Sequence, residues 1–157
     1  MSGQDVVALI AKAVLDLGYR SQTDDGRVLT SVGGTRTVIN WTAPGSLQFS
    51  AGIAGVPRKF GLEQVNEYNR RYRFGSLYLN PDGSMILQAD FLFDPDHPDA
   101  SGEVEKMLSL FEACAGEMRQ ALFEATEDEE EAEGDHEAST SPAESLSSTG
   151  RAGAFEA

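Results

Sequence analysis

The chain is poor in the residues that carry metal and covalent chemistry. It has one cysteine, Cys114, and two histidines, His97 and His136, among 157 residues. A single cysteine cannot form an intramolecular disulfide, and its rarity fits the reducing cytoplasm. No pair of cysteines or histidines has the spacing of a zinc site. We therefore predict no catalytic residue, no metal site and no cofactor.

Long apolar runs are also missing. The apolar segment 6–17 is interrupted by Lys12 and Asp16 and follows no basic stretch, unlike a signal peptide. No run approaches the roughly 18 apolar residues that span a bilayer. We expect a cytoplasmic protein with no membrane partner.

Basic residues are scarce, and the charge is uneven. Residues 1–123 carry 15 acidic and 11 basic residues, whereas residues 124–157 carry 11 acidic residues and one basic residue. Such a charge repels phosphate backbones, so we expect no nucleic-acid partner. The acidic, Ser- and Ala-rich end has too few apolar residues to offset ordering entropy. We predict a folded domain over 1–124 and a disordered tail over 125–157.

The folded part alternates between helical and strand patterns. Ser2 and Asp5 are typical of a capping box at the start of a helix, and Gly18 is typical of its end. Strand patterns follow at residues 19–23, 27–32, 35–42 and 46–53. A second helix is predicted over 62–73, a hairpin over 76–80 and 84–93, and a third helix over 102–124. This order predicts an α+β domain, in which three helices pack on one face of an antiparallel sheet of five to six strands.

One loop partly matches a calcium-binding motif. Asp94, Asp96 and Glu105 have the spacing of calcium ligands, but a proline replaces the fifth ligand and an aspartate replaces the required glycine. A solvated turn with Ser101 capping the third helix is the better interpretation. Cys114 lies on the apolar stripe of that helix, which favours a buried thiol over a nucleophile.

The second helix contains an asparagine among apolar residues. On a helical wheel, Leu62, Val65, Asn69 and Tyr72 share one face. A buried amide without partners costs about 1–3 kcal/mol. We therefore predict that Asn69 hydrogen-bonds backbone groups of a neighbouring strand or loop and fixes how the helix docks.

Arginines occupy the other face of this helix. Arg70 and Arg71 lie near Glu67, and their position near the carboxyl end complements the helix dipole. Both are also candidates for contact with a partner. We expect the helix to end with Gly75 at its cap and Phe74 turned inward.

The segments "SLQFSAG" and "LEQVNEYNRRYRFGSLYLNPDG", followed by an amphipathic helix, resemble the YbjN-domain family of bacteria over about residues 4–123. The family signature combines a Val-Asn-x-aromatic-Asn helix, an Arg-Phe pair and an aromatic-aliphatic strand. The matching positions are Val65, Asn66, Tyr68, Asn69, Arg73, Phe74, Tyr78 and Leu79. Tyr68 stands where tryptophan is common. The resemblance implies a type III secretion chaperone-like fold and a candidate regulator of sensory transduction, without established catalytic residues.

Three functions stay open. The first is a non-enzymatic regulator or adaptor that binds an unidentified protein through a sheet edge or helix face, with a homodimer as a further option. The second is a secretion-chaperone-like protein that binds a client. The third is a small-ligand binder or enzyme with a pocket formed by Asn66, Asn69, Arg73 and Tyr78. The missing catalytic set and the resemblance favour the first.

Overall fold

The computed structural model describes residues 2–42 and 45–137 of the chain. The helices are α1 (Gly3–Asp16), α2 (Leu62–Arg71) and α3 (Ala100–Glu137). The strands are β1 (Gln22–Asp24), β2 (Arg27–Val32), β3 (Thr35–Thr42), β4 (Ser46–Ile53), β5 (Ser76–Leu79) and β6 (Met85–Leu92). The predicted α+β order is confirmed, with four strands between the first two helices.

The strands form one antiparallel sheet in the order β1-β2-β3-β4-β6-β5. Strand β6 pairs with β4 along its whole length, with Phe49 opposite Ala89. The hairpin that follows α2 therefore adds to the sheet through its second strand. As a result β5 lies at the edge, directly after α2 in the chain.

One face of the sheet carries the core. In β4, Leu47, Phe49 and Ala51 are buried, and they alternate with more exposed polar residues. On the opposite face the Gln48 amide donates to the Asp90 carboxylate at 3.0 Å. The helices bury Val6, Ile10, Ala13 and Val14 of α1, Val65 and Tyr68 of α2, and Val104, Met107, Leu108, Phe111, Ala115 and Met118 of α3. Apolar burial between this sheet face and the helices supplies most of the stabilisation.

The ends of α1 follow the sequence signals. The Asp5 N–H donates to the Ser2 hydroxyl, and the Ser2 N–H donates to the Asp5 carboxylate at 3.0 Å, so the capping box is confirmed. At the other end Gly18 has a φ of +84°. The Tyr19 N–H then bonds to the carbonyl of Val14 at 3.2 Å, which completes the helix cap. Since Tyr19 belongs to this cap, β1 begins at Gln22 and not at residue 19.

Both ends of α3 differ from the prediction. The helix begins at Ala100, and the Glu103 N–H bonds to the carbonyl of Asp99. Ser101 therefore lies inside the first turn and does not cap the helix. The helix continues to Glu137, beyond the predicted end at residue 124, because Glu and Ala are good helix formers. The rest of the predicted tail, residues 138–157, lies outside the described residues.

No helix in the described ranges has the length and apolarity that a membrane span requires. The longest helix, α3, carries charged side chains along its whole sequence.

Candidate functional site

Helix α2 is anchored by Tyr68. Its side chain is 3% exposed, and its hydroxyl donates to the backbone carbonyl of Cys114 in α3 at 3.0 Å. Burial raises the pKa of Tyr68, so the phenol keeps its proton and its donor role. Leu62, expected on the buried face, is 66% exposed. At 100° per residue, the face of α2 that is buried, marked by Val65 and Tyr68, is rotated by roughly 50° about the helix axis from the predicted face.

Asn69 makes the hydrogen bonds that were predicted for it. Its Nδ2 donates to the carbonyl of Leu77 at 3.0 Å, and its Oδ1 accepts from the Leu77 N–H at 2.7 Å. Leu77 lies in the edge strand β5, so the amide takes the place of a neighbouring strand at that residue. The expectation that Asn69 lies within the apolar stripe is wrong, because the residue is exposed.

The chain leaves α2 earlier than predicted. Tyr72 already has extended backbone angles, φ −110° and ψ 133°, so Gly75 does not cap the helix. Gly75 is instead buried where a Cβ would lie 3.1 Å from Leu87 Cδ1 and 3.4 Å from Cys114 Sγ. A side chain at this position would have to displace these neighbours by a few tenths of an ångström, so close packing favours glycine. Phe74, expected inside, is 60% exposed.

Cys114 is a buried free thiol, as predicted. Burial raises the pKa of Cys114, which keeps it protonated and disfavours thiolate chemistry. Its backbone carbonyl holds Tyr68, and its Sγ faces Gly75. The residue thus contributes to the packing of α2 and β5 on α3.

A second tyrosine lies near Tyr68. The Tyr72 hydroxyl donates to Glu117 Oε2 in α3 at 2.8 Å, and its ring centroid lies 4.5 Å from that of Tyr68. The Arg71 guanidinium stacks over the Tyr72 ring at 5.6 Å. The hydrogen bond to Glu117 and partial desolvation raise the pKa of Tyr72.

These side chains line a groove of about 420 Å³ between α2 and α3, called the α2–α3 groove below. Its aromatic and apolar lining residues are Phe60, Tyr68, Tyr72, Ala121 and Ala125. Its polar lining residues are Lys59, Gln64, Glu67, Arg71, Glu117, Gln120 and Glu124. Tyrosine and arginine beside apolar surface are typical of protein-binding sites.

The structure separates the residues of the predicted pocket. Asn66 lines a different groove, whose lining includes neither Asn69, Arg73 nor Tyr78. Tyr78 is 50% exposed and follows buried Leu77 in β5, which places it on the opposite face of the sheet. The four side chains do not converge on one cavity.

The two predicted partner-contact arginines differ in their positions. Arg71 lines the α2–α3 groove, whereas Arg70 does not and forms an ion pair with Glu67 on the exposed face of α2. The contribution of α3 to the groove was not predicted. The sequence feature that could have indicated this contribution is the pair of small residues Ala121 and Ala125. They lie one helical turn apart and leave space beside α3.

The loop before α3 forms a turn of its own. Asp94 Oδ1 accepts from the Asp96 N–H at 3.0 Å, and Glu105 lies in the helix that follows. Within residues 2–42 and 45–126, no group of three or more His, Cys, Asp or Glu side chains is arranged as a metal site.

The six-stranded antiparallel sheet with three helices defines an α+β protein, and its surface includes a groove between two helices. The sequence profile of the YbjN family, described as "Putative bacterial sensory transduction regulator", matches residues 5–124. The chain belongs to the YbjN family, which confirms the resemblance.

Three solved structures similar to the chain share 12–13% sequence identity with it, so the likeness concerns the fold alone. YbjN from E. coli, described as "a putative transcription regulator", has a TM-score of 0.52 over 75% of this chain and 89% of that chain. An uncharacterised protein from Methanothermobacter thermautotrophicus has a TM-score of 0.49 over 78% and 98%. The Yersinia pestis type III secretion chaperone SycH, in complex with a fragment of YscM2, has a TM-score of 0.44 over 67% and 98%. No curated protein matches the sequence.

Proposed function

We propose that the chain is a regulatory adaptor of the YbjN family, without catalytic activity of its own, that binds a partner protein at the α2–α3 groove in the cytoplasm. The observation that carries the proposal is the composition of the groove. Tyr72 and Arg71 are stacked together beside apolar surface, and both residue types are frequent among the side chains that dominate binding energy at protein interfaces.

The edge of the sheet is a less suitable binding surface. The Asn69 amide already uses both backbone groups of Leu77 in β5, so an added strand would have to displace it. The other edge strand, β1, has only three residues, all of them paired with β2, and it ends at acidic Asp24 beside Asp25. A helix face therefore serves better than a sheet edge.

A small-ligand or enzymatic site at Asn69 lacks comparable support. The functional atoms of its side chain are occupied by Leu77, and Tyr78 lies on the other face of the sheet.

Affinity capture with three forms of the full chain tests the proposal. These are the wild type, the double variant Arg71→Ala, Tyr72→Ala and the control Tyr78→Ala, which removes a half-exposed tyrosine outside the groove. We expect a protein that the wild type and the control retain equally, and that the double variant retains at least about tenfold less, as for loss of an interface centre. Circular dichroism verifies that each variant is folded. Equal recovery of every partner by folded wild type and double variant would contradict the proposal.

A further inference from the structure

The α2–α3 groove continues into a strongly acidic helix. The groove contacts α3 between Glu117 and Ala125, and α3 extends to Glu137. Nine of the 14 residues from Glu124 to Glu137 are acidic, and none is Lys or Arg. At about 1.5 Å per residue, the helix runs roughly 18 Å past the groove. Residues 127–137 are called the acidic extension below.

The groove itself has a small excess of negative charge. Glu67, Glu117 and Glu124 line it together with Lys59 and Arg71, which leaves one net negative charge. The adjacent acidic extension adds eight acidic residues. An occupant should therefore be apolar where it enters the groove and basic where it leaves it.

This proposal rests on the proposed function and names the chemistry of its partner: we propose that the α2–α3 groove and the acidic extension together bind a basic amphipathic helix of a partner protein. Its apolar side chains pack against Phe60, Tyr72 and Ala121, and its Lys and Arg side chains lie along the acidic extension. This is the helix-in-groove mode of recognition, in which an apolar face gives affinity and charge gives orientation and encounter rate.

The length of the surface sets the length of the ligand. From Glu117 to Glu137 the helix rises about 30 Å, which a partner helix of about 20 residues matches. The apolar contacts belong at one end of such a helix and the densest basic residues at the other.

Other occupants match the charge less well. Within a second copy of the chain, helices α1, α2 and α3 carry net charges of −1, 0 and −11, so none of them carries a net positive charge. Residues 138–157 contain one arginine and two glutamates. Nucleic acid and anionic membranes would be repelled by the same surface.

Defined peptides test the proposal with the full chain. The first is a 20-residue Leu/Lys peptide with helical amphipathic spacing, the second is its scramble with the same composition, and the third is a Leu/Glu counterpart. Binding is measured by fluorescence anisotropy at low salt and near 0.15 M salt, where screening acts over about 8 Å. We expect the amphipathic basic peptide to bind at least about tenfold tighter than its scramble, and the acidic peptide not to bind.

Matched variants locate the binding site. Gln120→Arg places a bulky positive charge in the groove, and Ser109→Arg places the same charge on an exposed position of the same helix outside it. We expect about a tenfold loss of affinity for the first and less than about a twofold loss for the second. The triple variant Glu129→Gln, Glu130→Gln, Glu131→Gln should weaken binding and flatten its dependence on salt.

Several outcomes would overturn the proposal. These are equal binding of the basic peptide and its scramble, and equal effects of Gln120→Arg and Ser109→Arg. A dimer that Gln120→Arg dissociates in sedimentation would identify a second copy as the occupant instead. A tenfold gain in peptide affinity on deleting residues 138–157 would identify the chain's own end.

The two proposals fail differently. Capture of a groove-dependent partner that lacks a basic helix would leave the proposed function standing and overturn the basic-helix ligand. Absence of any groove-dependent partner would overturn the proposed function.

Discussion

The side-chain amide of Asn69 makes two hydrogen bonds to a single residue of the sheet edge, Leu77. A strand at the edge of a sheet offers unpaired N–H and C=O groups to other chains. Because one amide supplies both a donor and an acceptor, it can satisfy both groups of Leu77 at once. The residue thus ties α2 to β5 and protects this part of the edge.

Replacing Asn69 should therefore cost stability. We expect Asn69→Leu to lower the free energy of unfolding by about 1–2 kcal/mol, because the N–H and C=O of Leu77 lose their partners and regain only part of that interaction from water. Asn66→Leu is the matched control, since it makes the same change at an exposed position of the same helix and should stay within about 0.5 kcal/mol. Urea denaturation measures both. An Asn69→Leu variant as stable as the wild type would show that these bonds do not determine how α2 docks.

Individual residues were predictable where one rule dominated. The buried thiol of Cys114 followed from its position on an apolar stripe. The hydrogen bonds of Asn69 to backbone were predicted correctly, although the burial from which they were inferred is wrong. The burial of Tyr68 was missed because the helical wheel was centred on Leu62, which is exposed. The Cys114 carbonyl that accepts a hydrogen bond from Tyr68 is also distant in sequence. Gly75 was misassigned for a related reason, since its close neighbours Leu87 and Cys114 are distant in sequence.

At the scale of elements, α3 is the common support of the other helices. The Tyr19 hydroxyl at the end of α1 donates to Glu112 at 2.9 Å, and Tyr68 and Tyr72 of α2 donate to Cys114 and Glu117. Each tyrosine combines apolar packing with one polar contact at the far end of the ring. Docking of both helices therefore depends on protonated phenols.

This dependence predicts a loss of stability at alkaline pH. Burial raises the pKa of Tyr68 above its ordinary value of 10.0, so above that pH the unfolded chain releases a proton that the folded protein retains. The contribution is fully present below about pH 10 and decreases above it by about 1.4 kcal/mol per pH unit for this one proton. We expect the free energy of unfolding of Tyr68→Phe to decline less steeply than that of the wild type between about pH 10 and 11.

Urea denaturation at a series of pH values from 8 to about 11 measures the two curves. The offset between the curves at pH 8 measures the loss of the hydrogen bond from Tyr68 to Cys114, about 1 kcal/mol. The difference between their slopes above about pH 10 measures the proton that the folded protein retains on Tyr68. Other titrating groups are common to both proteins and cancel in the comparison. Parallel curves would contradict the assigned role of Tyr68.

Helices and strands were predictable where a short segment of sequence carries its own apolar or capping pattern. The alternation in residues 46–53 and the capping box of α1 gave β4 and α1 correctly. Strand β6 pairs with β4, which is distant in sequence, as well as with the neighbouring strand β5. No local sequence pattern specifies such a long-range pairing. The α2–α3 groove was missed for the same reason, since its two sides are about 50 residues apart.

At the scale of the whole molecule, the core and most of the negative charge occupy different parts of the chain. Within residues 2–42 and 45–126, the buried hydrophobic side chains all lie between Val6 and Met118. Residues 127–157 carry ten acidic residues and one arginine, so removing them changes the formal net charge from −14 to −5. The structural role of the first part and the charge of the second can therefore be varied separately.

Truncation tests this separation. A chain that ends at Thr126 retains the buried residues from Val6 to Met118 and should melt within about 5 °C of the full chain, which corresponds to roughly 1 kcal/mol for a domain of this size. A chain that ends at Leu110 loses Phe111, Ala115 and Met118 from the core and should not fold, because deletion of one large core side chain alone costs about 2–5 kcal/mol.

Comparison of the chain that ends at Thr126 with one that ends at Glu137 isolates the acidic extension, which should add the far-ultraviolet helical signal of about eleven residues. Thermal unfolding followed by circular dichroism measures all three. If the chain ending at Thr126 melted more than about 10 °C below the full chain, the acidic extension would belong to the folded domain, and Glu137 would replace residue 124 as the domain boundary.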